Sequence, residues 1–168
     1  MINKPLQIIL ITTALFSYEI NLGRSPKIQK EEVKPKVAIA LIRDDSKELV
    51  LDKSTGLMWQ DNLDAKTIRK NRKDAKQYCR SLVFAGYDDW YLPRVKELKS
   101  IVDEKRFDPA IRVGFKNVAS DHYWTSSPNL SDTMNALNID FKSGKTYNNT
   151  RIGKCYIRCV RGNYNLLI

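Results

Sequence analysis

The feature that most limits this chain is a change of apolar period along it. From Asp64 onward, Ala65, Ile68, Ala75, Tyr78, Cys79, Leu82 and Val83 recur at steps of three and four, which predicts one helix capped by Asp64 and stopped near Gly86. On either side the pattern is that of strands. Val37 to Ile42 is an apolar run of strand length, and Glu48 to Leu51 and Leu57 to Gln60 flank a reversal at Lys53-Ser54-Thr55-Gly56. Later, Tyr123 and Trp124, then Leu137, Ile139 and Phe141 opposite Asn138 and Asp140, then Cys155, Ile157 and Cys159, read as three further strands. Between these regions Pro93 opens a second helix whose inner stripe is Val95, Leu98 and either Ile101 or Val102, ending before Pro109. Helices early and strands late predict an α+β domain.

A chain of 168 residues with 42% hydrophobic content fills one ordinary core, so a single domain with an N-terminal appendage is expected. The start has the order of a secretory signal: Lys4, then an apolar run from Leu6 to Phe16 interrupted only by Gln7, Thr12 and Thr13, then polar residues. The run is short for a membrane span, and it fits a buried helix or strand poorly. Residues 1–23 are therefore expected to be a signal peptide or an uncleaved anchor. Residues 24–36 (RSPKIQKEEVKPK) read as a solvated linker and 37–168 as the folded domain. This predicts export to the periplasm or cell surface. The formal net charge is +10, and removing residues 1–23 takes away one base and one acid, leaving it unchanged. Such an excess favours acidic partners: polysaccharides, lipopolysaccharide, anionic membrane or nucleic acid, the last disfavoured for an exported chain.

Five blocks in fixed order carry a resemblance. They are DKSTGLMWQ from Asp52, containing Trp59; CRSLVFAGYDDWYLPRVKEL from Cys79, containing Gly86, Asp88, Asp89, Trp90 and Pro93; YWTSSP from Tyr123, containing Trp124; ALNIDFKSG from Ala136; and CYIRCVRG from Cys155. Over about residues 44 to 162 the chain resembles the Lcl C-terminal domain family, bacterial envelope modules named after the end domain of a collagen-like surface adhesin. That resemblance implies a C-type-lectin-like fold: two helices and a mainly antiparallel twisted sheet, closed by pairing of the first and last strands. Two positions depart from the family pattern. Tyr91 stands where Arg usually precedes Leu-Pro, and Arg94 stands where Ser or Thr would cap the second helix.

Similar lectin-like domains bridge the first helix to the last strand, which here implies a Cys79–Cys159 disulfide, with Cys155 as the alternative partner on the same strand face. The remaining cysteine is then a buried thiol or an intermolecular partner. Formylglycine-generating oxygenases share the broad fold and bind copper through two cysteines, but Cys155-Tyr-Ile-Arg-Cys159 has three intervening residues where that family has four, and the Asn-Val-Trp-Glu-Trp block is absent. This thiol/copper oxygenase reading is the enzymatic alternative. His122 is the sole histidine, so paired-His zinc is excluded. Asp88 and Asp89 are read as fixing a turn over Trp90 through backbone amides, in preference to binding calcium. No metal or cofactor is expected.

Binding is expected at two places. On a single helix Lys66, Arg69, Lys70, Arg72, Lys73, Lys76 and Arg80 would span a sector of about 160° with only Asp64 and Asp74 among them. The second is Lys142 to Lys154, with Lys142, Lys145, Tyr147, Asn149 and Arg151 between two strands. The bland alternatives are a solvated helix face and an ordinary hairpin. The functional expectation is an exported, non-catalytic module binding acidic glycan or another envelope polyanion; the other reading is structural, an envelope assembly protein contacting copies of itself or an envelope partner.

Overall fold

The computed structural model describes residues 41–162. The signal-like segment, the linker and the start of the Val37 to Ile42 run lie outside the described residues. The domain is α+β, built on two sheets. The first, wholly antiparallel, orders β1 (Leu41–Asp44), β2 (Leu49–Asp52), β3 (Leu57–Gln60) and β9 (Val160–Arg161) as β1-β2-β3-β9. The second orders β4 (Arg69–Lys70), β8 (Cys155–Tyr156), β5 (His122–Pro128), β6 (Asn135–Asp140) and β7 (Lys145–Thr150) as β4-β8-β5-β6-β7. There β5 and β8 run parallel and the other pairs antiparallel. Three helices complete the described part: α1 (Asp64–Thr67), α2 (Arg72–Arg80) and α3 (Val95–Ser100).

The hairpins share one turn chemistry. Asp44, Asp52 and Asp140 each end a strand and accept hydrogen bonds from turn residues: Asp44 from the Ser46 and Lys47 amides, Asp52 from the Ser54 amide at 2.9 Å, Asp140 from the Lys142 amide at 2.9 Å. Four residues on, the backbone takes a positive φ, at Glu48 (50°), Gly56 (72°) and Gly144 (73°). Two of the three sites use glycine, for which that conformation is unstrained.

Apolar burial falls into two clusters. Trp59, Leu98, Ile101, Ile139, Phe141 and Val160 centre the one between the first sheet, α3 and β6; Trp90, Leu92, Trp124, Ile157 and the three cysteines centre the one under α2. A buried ion pair crosses the interior: Arg158 Nη1 donates to Asp61 Oδ1 at 2.7 Å, with neither side chain exposed. Asp61 also accepts the Lys116 and Asn117 amides and the Arg43 guanidinium, while Arg158 donates to the Gln60 and Asn117 carbonyls. Both buried charges are answered by several hydrogen bonds, which helps to hold ions in a core, although Arg158 Nε–H finds no partner.

The expected single helix from Asp64 to Gly86 is instead two. After one turn Ile68 turns extended, and Arg69 and Lys70 pair with Tyr156 and Cys155 of β8. The Lys70 carbonyl accepts Trp124 Nε1–H at 2.9 Å, and the Asn71 side chain then accepts the Asp74 amide to start α2. Asp64 is not the cap; its carboxylate accepts the Tyr78 hydroxyl at 2.9 Å. Val83 is exposed, because α2 ends at Arg80. Gly86 stops no helix either. With Ala85 at φ 55° and Gly86 at φ 84°, and Phe84 and Tyr87 exchanging both backbone bonds, it closes a two-residue reversal.

Two other expectations shift. The run Cys155, Ile157, Cys159 is two short strands, β8 and β9, in different sheets, with the chain crossing between them. Among the described strands the last, β9, pairs with β3, not with β1.

Candidate functional site

Residues Arg72, Ala75 and Cys79 face inward from α2, and Cys79 is bonded to Cys159, which fixes the helix against the chain entering β9. Lys73, Lys76 and Arg80, three and four positions apart, form one stripe that flanks this inward face. Beyond Lys76 and Arg80 opens a cleft of about 550 Å³, walled by Tyr91, Leu92, Arg94, Glu97, Ser126 and Gly162. Lys76 also lines an adjoining hollow of about 380 Å³ with Arg72, Lys73, Arg151 and Ile152.

Six cations thus share one surface: Arg72, Lys73, Lys76, Arg80, Arg94 and Arg151. Among the described residues none of them has a carboxylate within 4.0 Å, whereas Arg43, Arg69, Arg112, Lys116, Arg158 and Arg161 all do. Burial first, then the nearby charges of Arg72, Arg80 and Arg151, pull the Lys76 ammonium below its ordinary pKa. The Arg72 guanidinium is lowered too, by burial and then Arg151. These groups repel one another and lack a counterion, so an arriving anion relieves a repulsion already present.

The one carboxylate in the cleft is committed. Glu97 Oε2 accepts the Arg94 amide at 2.6 Å and Oε1 the Tyr91 hydroxyl at 3.1 Å. Tyr91, in the position of the family's arginine, is therefore a buttress for Glu97, and its phenol is raised by burial and by that carboxylate. Arg94 cannot supply the side-chain acceptor of a capping serine; the other half of the cap, the Glu97 bond back to the Arg94 amide, is intact. The Arg94 guanidinium is thereby left for the cleft.

Arg72 is placed differently from its helical neighbours. Only 7% exposed, it donates from Nε to the Thr125 carbonyl at 3.3 Å and from Nη2 to the Ser126 carbonyl at 2.5 Å, tying α2 to β5. Arg151 Nε is held by the Asn135 carbonyl at 3.2 Å, and the Arg151 carbonyl accepts the Arg72 amide. Two of the six are thus fixed by the sheet and four stand on flexible stems.

Of the predicted binding residues, Lys73, Lys76, Arg80 and Arg151 come together. Lys66, Arg69 and Lys70 do not join them, because the break at Ile68 turns them away. Arg69 donates to the Lys154 carbonyl, lies over the Tyr156 ring and sits 3.9 Å from Asp121; Lys70 lines a separate hollow with Asp74 and Gln77. In the second region, Lys142 and Lys145 sit at the hairpin turn, about 20 Å of strand from Arg151. Tyr147 stands edge-on to His122, and the Asn149 amide lies 3.5 Å from Cys155 Sγ. Arg94, which the sequence did not group with these bases, lines the cleft beside Lys76 and Arg80; its one signal was a base at a capping position.

The aspartates of the Gly86 region also differ from expectation. Asp89 pairs with Arg161 of β9 at 2.6 Å, and that guanidinium stacks 3.7 Å over Tyr87. Asp88 is exposed. Trp90 is buried beside them with Nε1–H on the Phe84 carbonyl. Among the described residues no group of three or more His, Cys, Asp or Glu is placed to hold a metal ion. The implied disulfide is present between Cys79 and Cys159, leaving Cys155 as a buried free thiol. Of the pair named in the oxygenase alternative, Cys159 is thus in the disulfide and Cys155 is free.

The described domain is thus small, α+β and stapled from helix to strand, with a basic cleft beside α2. The chain belongs to the Lcl C-terminal domain family, whose model matches residues 48–161. No curated protein matches it.

Proposed function

We propose that this chain is an exported, non-catalytic binding module of C-type-lectin-like build, and that its ligand is an acidic glycan or another envelope polyanion. Family membership supports a binding or adhesin-like role. The observation that carries the reading to an anion is Lys76, which lines one hollow with Arg72, Lys73 and Arg151 and the cleft with Arg80, while the one carboxylate of that cleft, Glu97, is bonded to the Tyr91 hydroxyl and the Arg94 amide. Exposed ion pairs are individually weak, so affinity comes from several at once and falls steeply with salt.

The test is retention of the full chain on immobilised heparin as a model polyanion, across a salt gradient. The double change Lys76→Glu with Arg80→Glu is expected to weaken binding roughly tenfold or more, since two attractions become repulsions. Lys70→Glu with Lys145→Glu, the same change of charge away from the cleft, is expected to weaken it much less. Equal losses for the two pairs would reduce the cleft to general basicity, and no retention at low salt would sink the reading.

A further inference from the structure

The basic surface is edged by aliphatic side chains that bury nothing. Leu130 is 90% exposed, Met134 76% and Ile152 87%. Leu130 and Met134 lie on the loop joining β5 to β6, the Met134 carbonyl accepts the Arg151 amide at 3.2 Å, and Ile152 lines the hollow that holds Arg72, Lys73 and Lys76. Other exposed apolar residues, such as Val83, Phe107 and Val113, stand singly on separate segments and call for no explanation.

The acid on this loop makes no ion pair with the bases. Asp132 accepts the Met134 amide at 2.9 Å and the Asn135 side-chain amide at 2.5 Å, so its carboxylate shapes the loop. Exposed Leu, Met and Ile are without use to a wholly hydrophilic polyanion. Beside unpaired Lys and Arg they match a surface with phosphate headgroups outside and acyl chains just beneath.

Resting on the anion-binding reading above, we infer that the cleft docks on an anionic lipid bilayer, with Leu130, Met134 and Ile152 entering the headgroup boundary while Lys73, Lys76, Arg80 and Arg151 meet lipid phosphates. The charge complementarity is that of the cleft itself. The apolar edge selects anions that are displayed on a membrane over those on a free chain.

The experiment reads position, so that membrane attachment through any other segment of the full chain does not obscure it. An environment-sensitive fluorophore is placed at Ile152→Cys or, for comparison, at Val113→Cys; the native thiol, Cys155, is 1% exposed and escapes labelling. Vesicles of phosphatidylcholine with a quarter phosphatidylglycerol are expected to shift the emission at position 152 to the blue and leave position 113 in water. Pure phosphatidylcholine and soluble heparin are expected to cause no such shift, and Lys76→Glu with Arg80→Glu to remove it. A probe at 152 that stays in water on anionic vesicles, or behaves as the probe at 113 does, overturns the inference. With heparin retention intact, that result leaves the polyanion reading standing; loss of heparin retention as well takes both away.

Discussion

The hydroxyl of Ser127 accepts the backbone N–H of Val95 at 3.0 Å, reaching across 32 positions of chain to serve the first turn of α3. A helix entered through Arg94 has no local hydroxyl there, and β5 supplies one, while the neighbouring Ser126 amide donates to the Pro93 carbonyl at 2.7 Å. The start of α3, and with it Arg94 at the mouth of the cleft, is therefore registered against β5.

Replacing that hydroxyl tests the arrangement. Ser127→Ala is expected to cost about 1 kcal/mol, the usual value of a lost N-cap acceptor, in urea or guanidinium unfolding. A change within error would mean that water or a shifted side chain takes over the Val95 amide.

The Asp61–Arg158 pair predicts an asymmetry. Asp61→Ala strands a buried guanidinium, the Arg43 side chain and two backbone amides, and is expected to cost about 3–5 kcal/mol. Adding Arg158→Met should recover part of that loss, since the double variant no longer buries Arg158 as an unpaired charge. If the two changes simply add, the pair is not coupled and the account fails.

The Cys79–Cys159 bond closes a loop of 80 residues. On a chain-entropy basis its removal by paired Cys→Ala changes should destabilise the domain by roughly 4 to 5 kcal/mol. Peptide mapping without reduction should join these two cysteines and leave Cys155 unmodified in the native protein. Recovery of a Cys79–Cys155 linkage would contradict the structure directly.

Glu48 carries a positive φ at the position where the two sister turns use glycine. Glu48→Gly should therefore raise stability, by up to about 1 kcal/mol once the greater freedom of glycine in the unfolded chain is counted. Thermal unfolding of the single variant decides it; a loss would show that the Glu48 side chain contributes something its exposure does not suggest.

Alkaline pH should loosen the fold before acid does so through these groups. Burial pushes the Cys155 thiol up to about 11 from 9.0 and the Tyr78 phenol up to about 12 from 10.0. For both, the folded state favours the protonated form, so their contribution is complete below the unfolded pKa and is lost as pH rises through the folded one. Stability measured from pH 8 to 11 should decline, and Cys155→Ala should flatten the part of the decline between pH 9 and 11.

Much of this was legible from residues whose burial and backbone preference agree. Leu98 on α3 and Ile101 just past its end, the turn at Gly56 and the strand Leu57–Gln60 are of that kind, since period, turn chemistry and core all require the same thing. Ile68 misled because an apolar residue three steps from Ala65 satisfies a helix, yet it is buried equally well when extended; what decides is the unpaired edge of β8, which no local pattern announces. Asn71, a strong cap former, was the available hint. Position 158 was obscure for the opposite reason: an arginine amid apolar neighbours reads as the outward face of a strand, and its partner Asp61 lies 97 positions away. The binding surface was half legible. Lys73, Lys76 and Arg80 follow from helical spacing, but Arg94 and Arg151 join them only through tertiary contacts.

The short strand β9 has a consequence for the order in which the domain can come into being. Val160 pairs with Trp59 in the first sheet and bridges to Tyr91, while its neighbour Cys159 bonds to α2 and takes the Gln60 side chain on its amide. Gly162, with φ 99°, approaches the Gly56 carbonyl so closely that an added Cβ would lie 2.7 Å from it. Four early segments thus wait on one late one. A chain lacking the residues from 159 on would hold a first sheet with an open edge and an α2 held to β5 by Arg72, without its covalent staple, so the last described stretch is what closes the domain.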